Sequence, residues 1–477
     1  MNDTVPAGRQ VRTRFAPSPT GFLHIGSLRT ALYAYALTKS EKGKFILRIE
    51  DTDRSRFVPG ATEKILEDLR IFGLNWDEGP VVGGKFGPYI QSEKVALGIY
   101  KDFAEKLVAS GHAYFCFCPP QTKEAIAEEH EQKTINLRDA CRNLSPEEVQ
   151  AKLKSGQKPA IRLRVPDNET VSFNDFVLNK EISWETKNID EVMLLKSDGF
   201  PTYHLAVVVD DNAMEVSHIV RGRDWLPSTP VHLLLFKYLG FELPKIGHLT
   251  DILDPAGGKL SKRKGSVMIE EFLAEGYLPE ALLNFIMLLG WAPKDNRELF
   301  TLEEFVANFK AGQLQTANPV FNRKKLDWFN GHYIRQKSDE DLLLLIKPFV
   351  PKGADEKILN KVIPLIRERI VKLSEVSVLA GFFFVKPTVN RQLFGNLPHK
   401  EHLIKAAAVL EKLEKWENEE IQLSLNKLIV EEGWQTGDFY MSFRIALTGS
   451  RFTPPITQSA VILGKDETLA RLNRLLL

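Results

Sequence analysis

Residues 11–50 constrain the fold more than any other stretch. VRTRF, at 11–15, reads as a short strand, and after a loop SLRTALYAYALTKSEKG reads as a helix with Leu28, Leu32, Tyr35 and Ala36 on one face and a glycine at its end. KFILRIE follows as a second strand in which Phe45, Leu47 and Ile49 alternate. Strand, helix and strand within about 40 residues make a βαβ unit, which implies a parallel sheet with ligands at the carboxyl ends of its strands. Two loops lie at such ends, RFAPSPTG and IEDTD.

The first of these loops has the composition of a phosphate site. Pro17 and Pro19 hold extended backbone, Gly21 and Gly26 let the main chain come close to a ligand, and the helix beginning near Ser27 aims N–H groups and its positive dipole end at the same place. His24 could then donate a hydrogen bond to a phosphate oxygen. A Pro-rich connector carrying a surface histidine fits the loop equally well. No G-x-G-x-x-G follows the strand, which removes the main support for a dinucleotide site. A second loop, KLSKRK, sets Lys259, Lys262, Arg263 and Lys264 behind a glycine pair, where mobile cations could fold over a triphosphate. Taken alone, such a run is more often a solvated basic patch; the two loops together, at the two ends of one domain, favour the phosphate reading.

The chain has 477 residues, well beyond the roughly 250–300 at which single cores stop growing, so several domains are expected. With 43% hydrophobic and 26% charged residues it has an ordinary globular composition, and a net charge of +1 means that any polyanion surface must come from local clustering. MNDTVPAGRQ lacks a basic region followed by an apolar one, and the longest apolar run, ALLNFIMLLGW, is too short to span a bilayer; a cytoplasmic location without membrane contact is expected. From about 92 to 190 helices and short strands such as AIRLRVP read as an insertion. Parallel-sheet signals return with VMLLKSDG, YHLAVVVDD, HIVRGRDW and PVHLLLFKYLG. From about 326 onward the chain reads as helical, with Ile358, Val362, Ile366, Ile370 and Leu373 in a four-residue rhythm and KEHLIKAAAVLEKLEKW behaving likewise.

HIGS with KLSKR resembles the two signatures of class I aminoacyl-tRNA synthetases. RFAPSPTGFLHIG, RIEDTDRSR, GPYIQSE, LLKSDGFPTYHLAVVVDD, GRDWLPSTP and FRIALTG, in that order, are similar to the bacterial-type glutamyl-tRNA synthetases from about residue 11 to the C-terminus. The resemblance implies a multidomain protein: an α/β Rossmann catalytic domain whose first half is 1–91, an α+β acceptor-binding insert at 92–190, the second Rossmann half at 191–255, a stem-contact region with the KLSKR loop at 256–325, and an all-α anticodon-binding region of two subdomains at 326–477. It further implies ATP-dependent attachment of L-glutamate to tRNA(Glu) through a glutamyl-adenylate, with ATP entering alongside Mg²⁺. Service to tRNA(Gln) is left open, and a monomer is expected.

On this resemblance His24 and Lys262 are catalytic. Pro17, His24, Gly26 and Ser27, together with Lys259, Ser261, Lys262 and Arg263, bind ATP, while Arg14, Ala16, Ser18, Glu50, Tyr203 and Arg221 bind glutamate. The chemistry is coherent, since an ammonium needs a carboxylate such as Glu50 and carboxylates suit guanidinium forks. Two departures stand out: Ser27 replaces the second histidine of the common His-Ile-Gly-His, and Val207 stands where some relatives carry asparagine. Cys116, Cys118 and Cys141 resemble a zinc site that some relatives carry, but Asn143 occupies the position of the histidine ligand. Plain reduced thiols are therefore expected rather than structural zinc, with His130 as the alternative fourth ligand. The rival readings are a small-molecule nucleotidyltransferase, which would not need the helical half, and a catalytically inactive RNA-binding paralogue.

Overall fold

The computed structural model describes residues 10–118, 140–261 and 267–475. They fall into two compact units: the described residues of Met1–Glu270 with Leu283–Asn322, and those of Glu271–Leu282 with Arg323–Leu477.

In the first unit, strands β1 (Arg12–Phe15) and β2 (Lys44–Leu47) pair in parallel, Thr13 opposite Phe45 and Phe15 opposite Leu47. Helix α1 (Ile25–Ser40) joins them. The alternation expected in KFILRIE is absent, because Phe45, Ile46 and Leu47 are all buried. A parallel sheet is covered on both faces, so its strands need not alternate.

The insert contributes β3 (Ala113–Cys116) and β4 (Ala160–Leu163), which form an antiparallel sheet with β7 (Met193–Leu195). It also contributes the hairpin of β5 (Thr170–Asp175) and β6 (Lys180–Glu185). Strands β8 (His218–Gly222) and β9 (Lys245–Leu249) pair in parallel, and β5 joins the edge of β9 with Asp175 opposite Ile246. The resulting four-stranded sheet has the order β6-β5-β9-β8. Beside it runs β1, where the Ser217 N–H donates to the Arg12 carbonyl at 2.9 Å. The boundary expected at 190/191 thus crosses one sheet, and a second sheet ties the insert to the catalytic strands.

Two apolar runs expected as strands are helices. YHLAVVVDD lies in the helix Tyr203–Ala213 and PVHLLLFKYLG in the helix Thr229–Leu239, while VMLLKSDG supplies only β7, which runs antiparallel to β4. Every residue from Leu205 to Asp211 is buried, and a helix buried all round shows no 3.6-residue period. Pro230 in the first turn of the second helix is the local signal that separates the alternatives, since a strand interior would lose a ladder bond there. KIGHL, which is β9, has too few apolar residues to stand out.

The second unit has no strand among its described residues. Its helix Glu356–Ile366 buries Leu359, Val362, Ile363 and Ile366, and the expected rhythm runs past the helix end to the buried Ile370 and Leu373. A second core gathers Leu403, Leu425, Phe439 and Phe443. Residues 271–282, expected in the stem-contact region, belong to this unit. Asn330, fully buried, accepts from the Leu278 N–H at 2.7 Å and donates to the carbonyls of Gly276 at 3.1 Å and Val371 at 2.6 Å. No helix among the described residues is long and apolar enough to cross a membrane.

Candidate active site

The carboxyl ends of β1, β8 and β9, with the segment after β2, surround a cavity of about 680 Å³. Every sequence-predicted site residue among the described residues lines it; Lys262 and Arg263 lie outside the described residues. On one side is the start of α1, with His24 as its N-cap in extended conformation, Nδ1 accepting from the Ser27 N–H at 3.2 Å. The Ser27 hydroxyl lies 3.0 Å from Nε2 of the same ring. Serine in place of a second histidine therefore holds the imidazole in position. A side chain at Gly26 would come to 3.0 Å from His24 Cε1, so glycine there lets the ring fold back without being pushed aside. Across the cavity Lys259 pairs with Asp224 and, at 3.0 Å, with Asp251. Burial works against its charge, but hydrogen bonds to Asp224 and Asp251 outweigh it and raise the pKa.

The other side is built from alternating charges. Arg14 donates its Nε–H to Asp211 at 3.0 Å, and its terminal nitrogens make no hydrogen bond among the described residues. Behind it Arg48, wholly buried, donates to Asp211 at 2.7 Å and to Glu50 Oε1 at 2.8 Å. The sequence Arg14, Asp211, Arg48, Glu50 is charge-balanced, which is what makes burying four ionised groups tolerable. Glu50 lines the cavity, and its second oxygen makes no hydrogen bond among the described residues. Burial pushes the Glu50 pKa up against the opposing pull of Arg48 and Arg14, and for Asp211 the same burial is outweighed by Arg14 and Arg48, which lower it. Asp210, next along the helix, takes hydrogen bonds from Lys94, Gln91 and Tyr100 at 2.7, 2.9 and 3.0 Å.

Arg221 is held in a different way. The residue is 5% exposed, yet no carboxylate among the described residues lies within 4.0 Å of its guanidinium. Four hydrogen bonds to neutral groups fix it: to His248 Nε2 at 3.0 Å, His232 Nδ1 at 3.1 Å, Thr229 Oγ1 at 2.8 Å and Tyr203 Oη at 3.3 Å. Tyr203, accepting from Arg221, retains its own proton to donate into the cavity. Burial lowers the Arg221 pKa, and burial together with Arg221 lowers His232 far below its ordinary value and His204 to about 4. The result is a cation whose neighbours are kept neutral.

Asp211, Arg48 and His248 escaped sequence reading. The one available signal was the Asp210–Asp211 pair closing a long apolar run, since carboxylates in such a place need buried cations. Val207 packs into the hydrophobic core with Leu205 and Val208 and does not line the cavity.

Away from the cavity, the Sγ atoms of Cys116, Cys118 and Cys141 come within 4.8 Å of one another, and the Phe117 N–H donates to Cys141 Sγ at 3.4 Å. Three sulfurs so placed match three corners of a tetrahedral thiolate site. Asn143 offers no comparable fourth ligand, and His130 lies outside the described residues.

Comparison with known proteins accords with this geometry. Residues 10–328 match the family of class I tRNA synthetases (E and Q), catalytic domain, and residues 341–476 match an anticodon binding domain. The chain is 40% identical to a glutamate–tRNA ligase of Clostridioides difficile, over 97% of this chain and 98% of that one. It is also 40% identical to one of Borreliella burgdorferi, with 97% of each covered. Among solved structures it resembles a glutamate tRNA ligase from Elizabethkingia meningosepticum crystallised with its amino acid, with a TM-score of 0.84 and 33% identity over 98% of this chain and 99% of that one. With a catalytic-domain match followed by an anticodon-binding match over the helical region, by sequence and by fold the chain belongs to the class I tRNA synthetases of the E and Q type.

Proposed function

We propose that the protein attaches L-glutamate to tRNA(Glu) at the expense of ATP. An oxygen of the glutamate α-carboxylate attacks the α-phosphorus, the bond to pyrophosphate breaks, and the adenylate passes its acyl group to the terminal ribose of the tRNA with release of AMP. Family membership and end-to-end similarity to glutamate–tRNA ligases support this reading. The observation that carries the choice of amino acid is Arg221, a buried cation with no carboxylate within 4.0 Å among the described residues, lining the same cavity as Arg14 and Glu50, whose terminal nitrogens and second oxygen make no hydrogen bond among those residues. An ionised side chain supplies the missing charge to Arg221, while the substrate ammonium meets Glu50. Glutamine would turn amide N–H groups toward N–H donors.

In the same reading, ATP lies with its phosphates at the start of α1 beside His24, entering with Mg²⁺. Lys259, Ser261, Lys262 and Arg263 close on it, and Lys262 stabilises charge at the α-phosphorus as it builds. Residues 92–190 receive the acceptor end of the tRNA, 256–325 the stem, and 326–477 the anticodon; the anticodon-domain match over 341–476 supports the last assignment. The protein acts as a monomer, and tRNA(Gln) stands as a second acceptor to be tested. Amino-acid-dependent pyrophosphate exchange in the presence of tRNA is the decisive assay. Exchange with glutamate and not with glutamine is expected, and equal exchange with both would overturn the assignment.

A further inference from the structure

We infer that His248, oriented by Asp175, is a positioning residue that sets specificity by fixing Arg221 without neutralising it; this rests on the glutamate reading above. The argument begins with the contrast between the two cavity arginines. Arg14 is aimed by a carboxylate, Asp211, which also offsets its charge. Arg221 is aimed by imidazole, which accepts a hydrogen bond as directionally as a carboxylate does and leaves the positive charge intact for a ligand.

That role demands one tautomer of His248. Its Nδ1 lies 2.7 Å from Asp175 Oδ2, so Nδ1 carries the proton and Nε2 is left bare to accept from the Arg221 Nε–H at 3.0 Å. Asp175 is itself held as an acceptor by the N–H groups of Val177 at 3.0 Å and Leu178 at 2.9 Å, and both Asp175 and His248 are buried. Were the proton on Nε2, two N–H groups would face each other and Arg221 would lose its aim. Asp175 belongs to β5, a strand of the insert, and meets His248 across the β5–β9 pairing. The insert therefore reaches the amino-acid pocket through one carboxylate and one ring.

Three substitutions separate positioning from mere packing. His248→Gln keeps an acceptor near the place of Nε2, whereas His248→Asn reaches only toward Asp175. Asp175→Asn can donate to Nδ1 and so shift the proton to Nε2. Oriented partners of a ligating group carry about 10- to 100-fold. His248→Asn and Asp175→Asn should therefore raise KM for glutamate by about that factor, with KM for ATP unchanged and the preference over glutamine reduced, while His248→Gln recovers most of the loss. Pyrophosphate exchange with tRNA, alongside thermal melting, reads all three. If His248→Asn fails to fold, Asp175→Asn against wild type carries the comparison. Equal losses in His248→Asn and His248→Gln, or parallel rises in both KM values, would overturn the inference while the glutamate assignment stood. A wild-type enzyme indifferent to glutamate would overturn both.

Discussion

Replacing Arg221 by glutamine removes the cation on which, in the proposed reading, amino-acid choice rests. Breaking a buried charge pair by taking away one partner costs about 3–5 kcal/mol, and at 1.4 kcal/mol per factor of ten that is roughly 10²- to 10⁴-fold in kcat/KM for glutamate. The upper part of that range is expected, because among the described residues Arg221 has no carboxylate within 4.0 Å, so in the proposed reading the substrate anion loses its main partner and none of that loss is shared with the protein. Glutamine, being neutral, should lose far less, and the ratio of the two substrates should narrow by at least 10²-fold or so. The free protein should respond in the opposite direction. An uncompensated buried cation is a burden on folding, so Arg221→Gln should melt at the same temperature as wild type or higher. The assays are pyrophosphate exchange with each amino acid in the presence of tRNA and thermal melting without ligands. A variant that keeps its glutamate kcat/KM within about threefold, or that loses activity only because it unfolds, refutes the reasoning.

Lys262→Ala should lower kcat by roughly 10²- to 10³-fold with little change in KM for glutamate, since in the proposed reading the cation acts where charge develops; an unchanged kcat in single-turnover kinetics would remove it from the chemistry. Stability should fall as pH drops from 7 toward 5. His204, His232 and His248 all have folded-state pKa values below the ordinary value of 6.5, so their contribution is present above 6.5 and is lost as pH falls toward the folded values, about 4 for His204. Melting curves across that range should show the loss, and His204→Gln should flatten it; a melting temperature independent of pH would contradict the neutral-histidine shell. In the helical unit, Asn330→Ala should cost about 1–3 kcal/mol, because it takes the side-chain partner from the buried Leu278 N–H and the part-buried Val371 carbonyl, while the Gly276 carbonyl keeps the Leu373 N–H. Denaturant unfolding measures it, and a loss below about 0.5 kcal/mol would mean that the site relaxes freely. A fragment ending at 325 should aggregate, since Phe272, Tyr277, Leu278 and Leu282 are buried and belong to the unit whose remainder this cut removes; a soluble monomeric fragment in size-exclusion chromatography would show otherwise.

What the sequence determined alone was local. Pro17, Pro19, Gly21 and Gly26 act on their own backbone, and the start of α1 follows from residues within one turn of it, so the βαβ unit and the bent loop before α1 were legible without neighbours. The helical half was legible for the same reason, its rhythm being carried within single helices. Two kinds of fact depended on the tertiary structure. Buried runs such as LAVVVDD have no polar face, so only their packing separates helix from strand. Charge partnership joins residues far apart along the chain: Arg14 meets Asp211 across 197 positions and His248 meets Asp175 across 73. No local propensity encodes those distances. Whether a buried arginine is already neutralised or still needs an anion is settled only when the fold brings a carboxylate to it, as for Arg14, or a ring of neutral acceptors, as for Arg221.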